Sequence, residues 1–126
     1  MEISGVIESG AGKGAYFTQV DWVVKQCEIK LDMTLFPGTL NVKVDDRTVH
    51  QLGEFLRVAD IELIPDDPSF CAARIKKVTV NGIAAAVVLP SEDVRIHDNR
   101  TIELIASCSL KKRLSLNDGD TVTIAG

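Results

Sequence analysis

Two short runs carry residue types suited to holding a phosphate and a hard cation: Gly10-Ala11-Gly12-Lys13-Gly14-Ala15 and Pro37-Gly38-Thr39-Leu40-Asn41. Glycines on alternate positions let the backbone turn and bring N–H groups close to an anion, and Lys13 adds a positive charge. On an extended chain Thr39 and Asn41 point the same way, because alternate side chains share a face. A hydroxyl and an amide oxygen side by side suit Mg2+, which keeps waters and substrate phosphate oxygens and so needs only one or two protein ligands. The structural alternatives are a surface turn for the first run and two polar turn residues for the second.

The glycine run fits neither of two familiar phosphate loops. A GxxxxGK[ST] loop requires glycine where Ile7 stands and a hydroxyl residue where Gly14 stands. A GxGxxG fingerprint requires glycine at Ala15, within a repeating βαβ pattern that the later chain does not show.

The chain has 126 residues, 45% hydrophobic and 25% charged, which is the make-up of one globular domain spanning 1–126. The N-terminus lacks a signal-peptide pattern, and no apolar run approaches the roughly 20 residues that cross a bilayer, so a cytoplasmic protein without membrane contact is expected. Three cysteines, Cys27, Cys71 and Cys108, form no CxxC pair, and the two histidines, His50 and His97, have no ligand-spaced partner. Neither a zinc site, a disulfide framework nor a Ser/His/Asp triad is indicated. A net charge of −4 argues against nucleic-acid binding despite the run Lys111-Lys112-Arg113.

The elements that must position the two runs follow from periodicity. A strand over 2–8 leads into the glycine run, and apolar residues at helical spacing predict a helix over 18–30 with Thr18 as its cap. Such a helix would direct its positive end toward an anion. A strand is expected over 39–44, a short helix over 48–58 and a strand over 60–64. Asn81-Gly82 between two β-prone runs, 71–80 and 83–89, predicts a hairpin with a type I′ turn. After a polar loop over 91–100 come a strand over 101–106, a short helix over 109–114 and a last strand over 121–125. About six strands with two or three short helices predict a mainly β, small closed or partly closed barrel.

The blocks 10–17, 36–44, 86–90, 102–106 and 116–120 together resemble the archaeal-type CTP-dependent riboflavin kinase family, in order, spacing and length. The resemblance implies a cradle-loop (RIFT-type) barrel that transfers the terminal phosphate of CTP to riboflavin, giving FMN and CDP. It assigns nucleotide binding to Gly10, Ala11, Gly12, Lys13, Gly14, Ala15, Ser109, Leu110, Lys111 and Lys112. It assigns Mg2+ to Thr39 and Asn41 and flavin binding to Glu103. A monomer is expected, with riboflavin and CTP as its small-molecule partners. The chain departs from the family pattern at Ser107, where proline is common, and at Lys111-Lys112, where lysine replaces a guanidinium fork by a point charge. No general base is identified; Glu103, Asp118 and Asp120 qualify by chemistry alone, the last two being turn residues by context. Two other classes stay open: a flavin- or nucleotide-binding module without catalysis, and a DNA-binding swapped-hairpin barrel.

Overall fold

The computed structural model describes residues 1–8, 18–57, 59, 61–66, 72–90 and 100–126. Within them, runs of alternating buried and exposed residues form seven strands: β1 (Glu2–Glu8), β2 (Leu40–Val44), β3 (Ile61–Leu63), β4 (Ala73–Val80), β5 (Ile83–Pro90), β6 (Thr101–Ile105) and β7 (Thr121–Ala125). The helices are α1 (Asp21–Leu31), α2 (Leu52–Arg57), which follows a 3-10 turn at Val49–Gln51, and α3 (Leu110–Arg113). Among the described residues no helix is long and apolar enough to cross a membrane.

The strands pair antiparallel in the order β3-β4-β5-β6-β2-β1-β7, and β4 also pairs with β7 through Thr79–Ala125 and Val80–Ile124. That last pairing closes β4, β5, β6, β2, β1 and β7 into a ring, with β3 attached at the side. The sheet is therefore the small, mainly β barrel that the strand pattern predicts. The β4–β5 hairpin turns at Asn81 and Gly82, whose φ values of 46° and 88° are the left-handed pair that a type I′ turn demands.

Side-chain alternation sorts the apolar residues into two clusters. Ile3, Ile7, Leu40, Val42, Val44, Val80, Val87, Leu104, Val122 and Ile124 point inward and fill the barrel, where Phe55 of α2 joins them. On the outside, Val23, Cys27 and Leu31 of α1 lie against Leu63, Ile75, Ala86, Val88 and Ile105. Burial there pushes the Cys27 thiol up to about 11, so it stays protonated as an apolar packing group. Helix α1 thus covers one part of the outer surface and leaves the outer face of β1, β2 and the start of β6 polar.

Helix α1 begins three residues later than the periodicity predicts. Val20, without a side-chain cap bond, occupies the position expected for Thr18, because the Thr18 hydroxyl is engaged elsewhere. The segment 48–58 starts as a 3-10 turn, since Asp45 accepts hydrogen bonds from the Thr48 N–H and hydroxyl, both at 3.0 Å, and holds the chain in a tight turn there.

Candidate active site

Strand β2 is the spine of the site. Its inward residues Leu40, Val42 and Val44 are buried, which sends the half-buried Asn41 and the exposed Lys43 to the outer face. In register, Asn41 lies between Glu8 of β1 and Glu103 of β6, and Lys43 lies between Val6 and Thr101. Directly opposed residues on neighbouring strands present their side chains to one face within about 4.5–5.5 Å of one another at Cβ. The result is a row of two carboxylates and an amide, Glu8, Asn41 and Glu103, running across three strands.

The two carboxylates differ in surroundings. Glu8 Oε2 accepts a hydrogen bond from the Thr101 hydroxyl at 3.1 Å. Glu103 is opposed on its other side by Val88, part of the apolar cluster beneath α1. Its own side chain remains exposed, yet the packed protein on that side costs it hydration and raises its carboxyl above the ordinary value. Of the other acids weighed from the sequence, Asp118 pairs with Lys111 at 2.6 Å and Asp120 accepts from the Asn117 N–H at 2.8 Å, both within the turn before β7.

The glycine run at 10–15, with its expected nucleotide contacts Gly10, Ala11, Gly12, Lys13, Gly14 and Ala15, lies outside the described residues. So do Cys71, His97 and residues 91–99. The described residues that flank the run are informative. On one side β1 ends at Glu8, the register partner of Asn41. On the other, the buried hydroxyl of Thr18 accepts a hydrogen bond from the Gly38 N–H at 2.7 Å. Gly38 has φ of 125°, a conformation that side-chain-bearing residues rarely adopt, so glycine is required where the chain turns into β2. Both flanks of the glycine run are thereby fastened beside 38–41.

Two cavities open along β2. The smaller, about 240 Å3, is lined by Gly38, Thr39 and Leu40 together with Ser109, Leu110 and Lys111. The Phe36 N–H donates to the Ala106 carbonyl at 2.9 Å, which joins its two walls. Three of the four residues expected to contact nucleotide after β6 line this cavity. Lys112 is not among the lining residues; its N–H instead donates to Ser109 Oγ, which caps α3. The larger, about 750 Å3, is lined by Glu8, Lys43, Asp45, Asp46, Arg100 and Thr101, with Val6 and Val44. Glu8 and Thr101, which the sequence pattern does not single out, line this cavity; the register of β1 and β6 against β2 brings them there.

The side chains around Asn41 offer oxygen donors, namely the Thr39 hydroxyl, the Asn41 amide and the flanking Glu8 and Glu103 carboxylates, which is the donor type a hard cation takes. No group of three or more His, Cys, Asp or Glu that could hold a metal ion occurs among the described residues. A hard cation at Thr39 and Asn41 therefore fits only as one that completes its shell with waters and a ligand's own oxygens.

The described residues thus form a small closed antiparallel β-barrel with an oxygen-rich row between two cavities, next to both flanks of the glycine run. The chain belongs to the family CTP-dep_RFKase, described as a domain of unknown function, DUF120, whose model matches residues 7–125. A riboflavin kinase of Methanobrevibacter smithii is 32% identical over 125 residues, covering 98% of each chain. Those of Methanoculleus marisnigri and Saccharolobus solfataricus are 33% and 31% identical over 97% and 98% of this chain. The chain spans 55% of the M. marisnigri protein and 73% of the S. solfataricus one. It thus matches nearly the whole of one relative and about half of another.

Proposed function

We propose that the chain is a riboflavin kinase that uses CTP and Mg2+ to make FMN. In this reaction an oxygen of the ribityl chain forms a bond to the γ-phosphorus while the bond from that phosphorus to the β–γ bridging oxygen breaks. The hydroxyl proton is lost, and FMN and CDP leave. Such a transfer needs little covalent help; it needs both partners held in line and charge neutralised. Thr39 and Asn41 would hold the metal, which would offset the negative charge of the phosphates. Gly10, Ala11, Gly12, Lys13, Gly14 and Ala15 wrap the phosphates, and Ser109, Leu110, Lys111 and Lys112 complete the nucleotide contacts. Glu103 binds the acceptor.

The observation that carries this reading is the convergence at β2: Glu8 opposite Asn41, and Thr18 bonded to Gly38, put both flanks of the glycine run beside the hydroxyl–amide pair. The names of the relatives support the acceptor, and the family name supports the donor. The test is incubation of purified protein with riboflavin, Mg2+ and each nucleoside triphosphate in turn, with FMN followed by chromatography. FMN formed fastest from CTP supports the reading; no FMN from any triphosphate overturns it. The pairing of Lys111 with Asp118 favours one alternative, a binding module in which that cation is no longer free to serve the phosphates. That module binds riboflavin or CTP and forms no FMN.

A further inference from the structure

The larger cavity is not covered by the sequence motifs, and its chemistry differs from that of a phosphate site. Three carboxylates, Glu8, Asp45 and Asp46, face it with two cations, Lys43 and Arg100, and Arg100 is paired with Asp46. Asp45 in turn lies 4.0 Å from Arg47 and accepts hydrogen bonds from Ser4 and Thr48, whereas the oxygens of the Glu8 carboxylate can readily accept hydrogen bonds from uncharged O–H groups. Its volume of about 750 Å3 is that of a pocket for a small organic molecule. Its place matters as much as its lining. Along β2 the smaller cavity takes Thr39 and Leu40, the larger takes Lys43 and Val44, and Asn41 stands between them. At about 3.3 Å per residue, Thr39 and Lys43 are about 13 Å apart. A molecule entering from the Lys43 end would approach, near Asn41, the phosphate that the kinase reading holds from the Thr39 end.

We propose that this cavity receives the hydroxyl-bearing chain of the phosphoryl acceptor, with Glu8 accepting a hydrogen bond from one of its hydroxyls and Thr101 as the positioning residue that orients Glu8. The assignment deepens the kinase reading and rests on it for the identity of the acceptor. Glu8 is suited to the task because Thr101 fixes one of its oxygens at 3.1 Å, and a carboxylate has acceptor capacity to spare beyond a single bond. Being opposite Asn41, it would hold the chain where its end reaches the phosphate.

The experiment compares wild type with Glu8→Gln, Thr101→Val and Thr101→Ser. It measures the riboflavin and CTP KM values for FMN formation, the binding of riboflavin and of lumiflavin, which has the ring without the hydroxyl chain, and amide NMR shifts on adding riboflavin. Exchanging a charged acceptor for the neutral amide oxygen of glutamine, or releasing the carboxylate from Thr101, weakens a hydrogen bond by about tenfold in affinity. The expected result is an approximately tenfold higher riboflavin KM in Glu8→Gln and Thr101→Val, restored by Thr101→Ser. The CTP KM and lumiflavin affinity should stay at wild-type values, with wild-type amides near Glu8, Lys43 and Thr101 shifting. FMN formation with unchanged riboflavin KM in the folded variants overturns the inference and leaves the kinase reading standing. No FMN, but riboflavin-induced shifts around Glu8 and Thr101, keeps the cavity assignment and removes the kinase reading. No FMN and no shifts there removes both.

Discussion

Thr18 and Gly38, 20 positions apart, are joined by a hydrogen bond of 2.7 Å from the Gly38 N–H to the Thr18 hydroxyl. With Thr18 only 2% exposed, this bond ties the exit of the glycine run to the turn that opens β2. Thr18→Val keeps the shape and removes the acceptor, leaving an N–H in a partly buried place without that partner. The expected cost is about 1–3 kcal/mol in thermal or denaturant unfolding. A raised nucleotide KM should accompany it, and a stable variant with a wild-type KM would contradict the link.

Glu103, proposed to bind the acceptor, is held at some expense to the fold. Its raised carboxyl means the folded chain favours the protonated form: the contribution is full below the ordinary value of 4.5 and lost as pH rises through the folded value. At pH 7 the ionised group is a small net cost, small because the side chain is exposed. Glu103→Gln is therefore expected to raise the melting temperature slightly at pH 7, with the difference vanishing below pH 4.5, while FMN formation falls. Melting curves at the two pH values, set beside turnover, check both halves.

Asp45 shows the opposite behaviour. The Ser4 hydroxyl, followed by the Thr48 hydroxyl and N–H and the nearby Arg47, holds its carboxyl below the ordinary value of 3.8. Its contribution is present above that value and is lost as pH falls through the lowered one. In Asp45→Asn the acid limb of a melting-temperature profile, below about pH 4, should be shallower than in wild type, and stability at pH 7 lower. Parallel acid limbs would contradict this role.

Gly5 is a strand glycine rather than a turn glycine. A Cβ there would stand 2.3 Å from the Lys43 carbonyl oxygen and 2.8 Å from Val42 Cγ1, so β1 and β2 would have to separate. Gly5→Ala is expected to cost about 1–3 kcal/mol by overpacking, measurable by denaturant unfolding. Because Gly5 lies three residues before Glu8, riboflavin kinetics should suffer too.

Much of the barrel was legible because its strands alternate cleanly and one turn, Asn81-Gly82, has a conformation that few other residues tolerate. The outward placing of Asn41 on β2 follows from alternation alone, while Thr39 lies just before the strand. Register was not legible, since which residue of β1 opposes which of β2 depends on ring closure through β4 and β7. The juxtaposition of Glu8 and Thr101 with Asn41 is for that reason invisible in the sequence, where Glu103 is marked by resemblance. The cap on α1 was missed for a related reason: the Thr18 hydroxyl serves Gly38, a long-range partner that local pattern cannot reveal.

In the proposed enzyme the glycine run and the Thr39–Asn41 pair grip one metal-loaded triphosphate. Titration calorimetry of CTP with and without Mg2+, in wild type and in Asn41→Ala, tests it most directly. Mg2+ is expected to tighten CTP binding in wild type and this enhancement to fall by roughly tenfold or more in the variant, whose melting temperature stays near wild type because Asn41 faces outward. Equal enhancement by Mg2+ in both proteins, or none in either, would contradict it.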